Sequence, residues 1–517
     1  MAWKLLGRAF QTQESLSDRD YRRAGRGLIA DGVCSTSMAT LQGGPFLAAF
    51  AIALGASNYE VGLLATIGFL SQFAQLGGLF LVQKFPKRRG IVILSAGVSR
   101  LLWVFILLIP LLFVNRGVTF LMQWLFLAAM VGAVAGPAWN SLLRDVVPQS
   151  TMGKLFSTRM VLGTVFALSL TLLGGFFVDY WKGWFPDQAL LAYSILFAIG
   201  LFFGLAGLLA ISRIPEPTMP STDGQKITSL LTKPIKDKNF QGLLKYIGFW
   251  NFAINLAGPF FIVYLLERIG MSLGMVTTLV VTSQVTNLVF FRIWGKLADR
   301  FSNKSVLGVS GPLFLLAILL WTFTTMPDRH ALTIPLLFAI HILSGMSAAG
   351  VSLATANIAL KLSPTGQAHS YMTVYGLAGA VTGAISPMLG GVFADFFATR
   401  ELSIQLNWAQ AEQTASVYAL NLRALDFLFL MTFLLGLFSL RFLRKVTEQG
   451  EVEEKVVRQE LLNETYSTVR MIGTIPGIRQ MVAGPISAVG RLLKGGQNVE
   501  KDREAKEAAE SPKEGPA

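Results

Sequence analysis

Apolar residues in this chain fall in long runs separated by short polar or glycine-rich connections. A bilayer core about 30 Å thick needs roughly 20 residues of helix at about 1.5 Å rise, and backbone groups in lipid must be satisfied within the chain, which selects helices. Twelve segments pass that test. They run over 27–54, 59–83, 90–114, 118–142, 158–181 and 189–211, and then over 243–266, 273–294, 306–325, 332–360, 370–397 and 422–443. The pattern predicts an all-α polytopic membrane protein of twelve transmembrane helices, arranged as two pseudo-symmetric six-helix bundles.

The connections alternate in charge. Lys84, Lys87, Arg88 and Arg89, then Arg144, Lys154 and Arg159, then the Lys226 to Lys245 region, then Lys296, Arg300 and Lys304 mark one set of loops. The intervening loops at 55–58, 115–117 and 326–328 carry little positive charge. Basic loops stay in the cytoplasm, so both termini are expected inside and the protein in the plasma (inner) membrane as a multi-pass chain.

Composition removes the soluble alternatives. The 517 residues are 53% hydrophobic and 14% charged, with a mean hydropathy of +0.54, and a soluble fold has nowhere to put that much apolar surface. A net charge of +14 would raise the question of nucleic acid in a soluble protein; here the basic residues are topology signals, and no nucleic-acid partner is expected. The single cysteine, Cys34, lies in the first apolar run and excludes an intramolecular disulfide. Arg19, Arg22, Arg23 and Arg26 precede a run too long for a signal-peptide core, without a small-residue cleavage site after it, so that run is kept as the first span.

Segment 1–26 is expected to be a cytoplasmic N-terminal piece whose apolar start, 1–10, with Lys4 and Arg8, suits a membrane surface. Bundles over 27–212 and 243–445 flank a cytoplasmic linker, 213–242, rich in proline at Pro215, Pro217, Pro220 and Pro234. The remainder, 446–517, is charged. Within it, 465–494 mixes Ile, Val and Leu with Arg470, Arg479, Arg491 and Lys494, as an amphipathic segment on the inner leaflet or a loosely helical tail, and the end is expected to be disordered.

The two halves repeat each other. Gly55, Ser57, Val61 and Leu64 recur as Gly270, Ser272, Val276 and Leu279 at an offset of 215, and Pro148, Gly163, Gly174, Gly175, Phe177 and Asp179 recur as Pro364, Gly379, Gly390, Gly391, Phe393 and Asp395 at 216. Gly44 and Pro45 match Gly258 and Pro259, near the middle of the first helix of each half. Paired Gly-Pro interruptions predict broken, hinge-bearing helices at a transporter's central site. An even number of spans per half keeps the repeats in one orientation.

Between the eighth and ninth spans, Gly295, Asp299, Arg300 and Lys304, in the run GKLADRFSNK, resemble the signature loop of the major facilitator superfamily. At the equivalent place in the first half, Phe80, Lys84 and Arg89 stand where Gly295, Asp299 and Lys304 do, so that copy keeps only its basic end. The resemblance covers roughly 22–445 and implies a carrier that rocks two six-helix bundles about a site near mid-membrane. In it, Asp299 and Arg300 would hold cytoplasmic helix ends together in the outward-facing state, or would only shape a turn. The chain lacks the G-P-x-x-G-G stretch that proton-coupled drug exporters carry in the fifth span, offering Gly174 and Gly175 there, and its fourth-span arginine, Arg144, lies at the mouth; drug/proton antiport is not favoured.

Ionisable groups deep in a membrane helix are costly and mark candidates for function. Arg100 sits about ten residues into the third span, near mid-bilayer. Its guanidinium either clamps a substrate carboxylate or phosphate, or satisfies helix carbonyls and pairs with Asp31. Asp31, one turn inside the first span, either titrates with a coupling proton or pairs with a base at the inner gate. His341, in the tenth span, either contacts substrate or is an interhelical hydrogen bonder. Gln42, Asn251, Asn255, Gln284 and Asn287 offer amides on the first, seventh and eighth spans, suited to hydroxylated or zwitterionic solutes or to joining helices. Trp139, Asn140, Tyr371 and Tyr375 are further lining candidates.

No P-loop, metal-ligand spacing or nucleophile beside a base points to enzyme chemistry, and no cofactor or metal is expected. The function expected is gradient-driven transport of a small solute of unidentified class by alternating access, as uniport, symport with a coupling cation, or antiport, by a monomer in the lipid bilayer. The competing reading is a non-transporting membrane assembly factor or sensor that acts through its cytoplasmic tail.

Overall fold

The computed structural model describes residues 12–472 except 15, 86, 219–226, 327, 365–367 and 411–412. The expected apolar segment 1–10 and most of the amphipathic stretch 465–494 therefore lie outside the described residues. From residue 452 onward the chain is a unit of its own, and its described part is the helix Glu454–Ile472.

Among the described residues, eleven helices are long and apolar enough to cross a membrane: Asn58–Lys84, Arg88–Leu112, Val114–Val146, Thr151–Trp184, Pro186–Ser212, Lys238–Arg268, Leu273–Arg300, Asn303–Phe323, Thr333–Lys361, Ser370–Phe397 and Leu425–Leu443. They are the second to twelfth spans. The first span is missing from that set because it is broken. One helix, Asp18–Leu41, opens on the Ser17 capping box with charged turns; a second, Gly44–Ala53, restarts after Gln42 and Gly43. Gly44 has φ +51°, a left-handed conformation that glycine enters without the cost a Cβ imposes.

Each half repeats one packing scheme. Span one lies against spans five and six, three against four and six, and two against four; likewise seven lies against eleven and twelve, nine against ten and twelve, and eight against ten. Small residues allow the close approaches. A Cβ on Gly345 would run into the backbone of Ser283, and Asn287 Nδ2 donates to Gly345 O at 3.2 Å, so spans eight and ten touch backbone to backbone there.

The halves also pack on each other, and the contact is again duplicated: span two on span eleven, and span eight on span five. A Cβ on Gly62 would strike Pro387 O, one on Gly175 would strike Thr277, and Thr66 Oγ1 donates to Ala384 O at 2.9 Å. All these contacts lie toward the end away from the basic loops. Nearer the basic loops, the rest of span two, Gln75–Lys84, packs against spans three and four of its own half.

Three elements add to the twelve-helix plan. A helix, Ile227–Lys236, occupies part of the linker and packs on span eleven. Between spans eleven and twelve an antiparallel hairpin joins β1, Glu401–Gln410, to β2, Gln413–Arg423, with a register shift between Ile404 and Gln405. Its base is held by Arg423, whose Nη2 donates to Glu401 at 2.9 Å and Nη1 to Asp328 at 3.4 Å. The alternation Leu402, Ile404, Leu406 is a strand signal that a search for twenty-residue apolar runs passes over. In the seventh span Gly258 and Pro259 keep right-handed helical backbone, and the irregularity falls at a π-helical turn, Tyr264–Arg268. The expected symmetric pair of breaks is thus a true break in the first half only.

Gly345→Leu is expected to separate spans eight and ten at a cost of about 1–3 kcal/mol, read as a lower unfolding temperature in detergent. Gly376→Leu, where nothing lies within 4 Å of an added Cβ, should leave it unchanged; equal losses would contradict the packing described.

Candidate functional site

The break at Gln42 and Gly43 interrupts the backbone at mid-span and carries the polar side chain of Gln42. Gln42 is buried and its Nε2 donates to Phe197 O on span six at 3.0 Å, while its Oε1 has no partner. About two and three turns earlier on span one stands a charged cluster. Ser35 Oγ donates to Asp31 Oδ1 at 2.9 Å and accepts from Arg100 Nη2 at 3.4 Å; Arg159 Nη2 reaches Asp31 Oδ2 at 3.4 Å. Asp31 is 3% and Arg100 7% exposed.

Span six makes room for this cluster by supplying a small residue at each place where a side chain must fit. Gly204 on span six lies against the Arg100 stem, Gly207 against Asp31 and Cys34, and Gly200 against Gln42. Arg100 thus points into the first half between spans one, three and six, with Nη1 unpartnered. Arg100 is joined to Asp31 through Ser35. Arg159, which the charge pattern marks as a loop residue, is the third member, and its guanidinium lies 5.7 Å from the Trp139 ring.

The other predicted residues separate into distinct places. Asn255 Nδ2 donates to Asn251 O within span seven at 2.8 Å, and Asn287 is bonded to span ten. Gln284 is exposed near the middle of span eight, and Asn140 is exposed near the basic end of span four. Tyr375 is hydrogen-bonded to Thr355, and Tyr371 donates to Asp237 Oδ2 at 3.1 Å. His341 Nδ1 lies 2.8 Å from Leu337 O on its own helix, and its ring meets Trp321 edge to face in an aromatic group with Tyr264 and Phe429.

At the signature loop Asp299 and Arg300 are exposed, and Arg300 lies 5.2 Å from the Phe301 ring. Lys304 carries the firm contacts: its backbone N–H donates to Glu448 at 2.7 Å and its Nζ to Glu451 at 2.8 Å. Glu448 also accepts from Asn303 Nδ2 at 2.8 Å and pairs with Lys361 at 3.3 Å. The first half has a counterpart. Arg88, fully buried, donates to Asp145, to Ser141 Oγ at 3.0 Å and to Pro217 O at 3.0 Å, with Nε 3.8 Å from Glu216. Glu216 and Glu448 each follow the last span of their half; no motif marks them in the sequence.

Burial pushes the Glu216 carboxyl above the ordinary carboxylate range, against the pull of Arg89 and Arg88. Ionised Glu216 is therefore worse off folded than unfolded. Its contribution is full below the ordinary carboxylate range and is lost as pH rises through the raised value. Glu216→Gln, which stays neutral, is expected to gain in unfolding temperature relative to the wild type between about pH 4 and about pH 8; curves that stay parallel would remove the burial argument.

Asp31→Asn leaves Arg100 and Arg159 facing each other without their carboxylate and is expected to cost about 3–5 kcal/mol. Adding Arg100→Met should recover part of that loss in thermal unfolding. A double variant as unstable as the sum of its parts would show that the two side chains do not interact.

A family model for the Major Facilitator Superfamily matches residues 32–387 and 240–471. No curated protein matches the chain in sequence. Among solved structures, the nucleoside transporter NupG superposes with a TM-score of 0.59 at 12% identity, covering 83% of this chain and all of that one. A bacterial homologue of the iron transporter ferroportin in its inward-facing state gives 0.54 at 14%, over 84% of this chain and 100% of its own. A bacterial homologue of the human lysosomal transporter Spinster, inward-facing and occupied, gives 0.52 at 15%, over 74% and 83%. At these identities the likeness is one of fold. With twelve spans, a duplicated packing scheme and a family match along most of its length, the chain belongs to the major facilitator superfamily of membrane solute transporters.

Proposed function

We propose that the chain carries a small polar solute by alternating access, driven by a gradient, in the plasma (inner) membrane with both termini cytoplasmic. One observation carries this reading. The halves meet through paired backbone-close contacts at one end, while toward the basic end span two leaves span eleven and packs within its own half. If the basic loops are cytoplasmic, that geometry is inward-facing, one of the two states such a cycle needs. The break at Gln42 and Gly43 gives the first span a place to bend between them.

The residues proposed to meet the solute are the amides Asn140, Asn251, Asn255 and Gln284, with Tyr375. Arg100 is turned into the first half and bridged to Asp31, so it serves that half's charge balance. Asp31, shared by two arginines, is the group proposed to sense a coupling cation, because neutralising it changes the charge of the whole cluster. Hydroxyl- and amide-bearing solutes suit such a lining, and the nucleosides moved by NupG are of that chemistry.

Purified protein should gain unfolding temperature with a member of this class and lose the gain in Gln284→Ala with Asn251→Ala, while Arg100→Ala keeps the response. The same solute should exchange across proteoliposomes carrying the wild type. If no amino acid, sugar, organic acid, nucleoside or lipid head group stabilises the protein or exchanges, the carrier reading fails and partners of the cytoplasmic tail become the object of search.

A further inference from the structure

Two carboxylates reach across from one half to the other. Asp179, at the outer end of span five, accepts the N–H groups of Leu273 at 3.0 Å and Gly274 at 2.6 Å. Asp395, at the corresponding end of span eleven, accepts from Tyr59 N–H and from Asn58 Nδ2, both at 3.0 Å. The donors open spans eight and two.

The first N–H groups of a helix have no partner inside it, and its N-terminus attracts negative charge. In spans two and eight the N-cap serine satisfies only part of this need: Ser57 Oγ accepts from Glu60 N–H at 3.3 Å, and Ser272 Oγ from Met275 N–H at 3.3 Å. The earlier donors, at Tyr59, Leu273 and Gly274, are met by the opposite half. Each helix is thus capped twice, once by its own chain segment and once in trans.

The arrangement is duplicated by the internal repeat, since Asp179 matches Asp395 at an offset of 216 and Ser57 matches Ser272 at 215. It also needs close approach. A Cβ on Gly274 would come 2.7 Å from Asp179 Oδ2, and one on Gly391, a turn before Asp395, 2.7 Å from Tyr59 Cα. Parting of the halves at this end has to break both carboxylate contacts together.

We propose that Asp179 and Asp395 form a paired trans-capping clasp that holds the end opposite the basic loops closed and sets how often it opens. The inference rests on the alternating-access reading. The clasp binds one state and not the other, so removing it shifts the population toward the state that lacks it. Because both contacts stabilise a single closure, loss of either shifts the balance in part, and loss of both shifts it on the order of tenfold or more, as expected for charge-assisted hydrogen bonds.

Spin labels on Asp187→Cys and Arg329→Cys, in a Cys34→Ser background, report the distance across this end by pulsed electron resonance; Lys154→Cys with Arg444→Cys reports the basic end. Asp179→Asn with Asp395→Asn is expected to enlarge the long-distance fraction at the first pair and the short-distance fraction at the second. Tyr59→Pro removes a donor at a helix start, where proline is tolerated, and should act in the same direction, with Tyr59→Phe unchanged. If the wild type exchanges between two distances and neither variant alters the fractions, the clasp is refuted and alternating access stands. If no second distance exists at either pair in any variant, both are refuted.

Discussion

A backbone amide in hydrocarbon has no water to bond to, and the spans of this chain are arranged around that fact. Continuous helices solve it within themselves. Where a helix starts or breaks, the partner has to come from elsewhere, and those are the places where this protein brings unlike parts together. Spans two and eight begin on carboxylates from the opposite half, span nine begins on Glu448 from beyond span twelve, and the interruption in span one sits beside Gln42, bonded to a carbonyl of span six. Helix ends are the joints of the molecule.

Small residues set how near those joints can come. Gly62, Gly175, Gly274 and Gly391 put backbone against the other half where any side chain would intrude, and Gly200, Gly204 and Gly207 make a trough on span six for the polar face of span one. Van der Waals contact between helices is the main attraction available in lipid, and these surfaces supply it at the closure and inside the first half. The basic-end networks differ in design. Each closes within its own half, through Glu216 with Arg88 and Glu448 with Lys304, and so stiffens a bundle without tying it to its neighbour.

Much of the fold was legible because hydropathy is additive along a chain. Twelve spans, the loop charges and the repeat could all be found without knowing what touches what. What stayed hidden depends on contact. Asp179 and Asp395 stand out in the sequence as repeat markers, yet nothing in their spacing names the helix starts they cap. Gly44 and Gly258 share a Gly-Pro setting, but only the first follows another glycine, Gly43, and only there does the helix stop. Arg100 and Asp31 were visible as costly charges; Ser35 and Arg159, which complete the cluster, look like an ordinary polar residue and a loop base. Lys304 was found through the signature loop, while its partners Glu448 and Glu451 sit in a charged stretch with no motif.

The hairpin after span eleven gives the molecule a feature beyond its helices. Ten residues in a strand extend about 33 Å, and Arg423 ties its root to Glu401 and Asp328. A protein of this size that is almost all membrane helix offers image alignment little to hold, whereas a ribbon present in one half breaks the resemblance between its two similar halves. An antibody fragment raised against the ribbon would mark one half as distinct from the other. It would provide a fiducial by which the half bearing spans seven to twelve can be followed through the cycle.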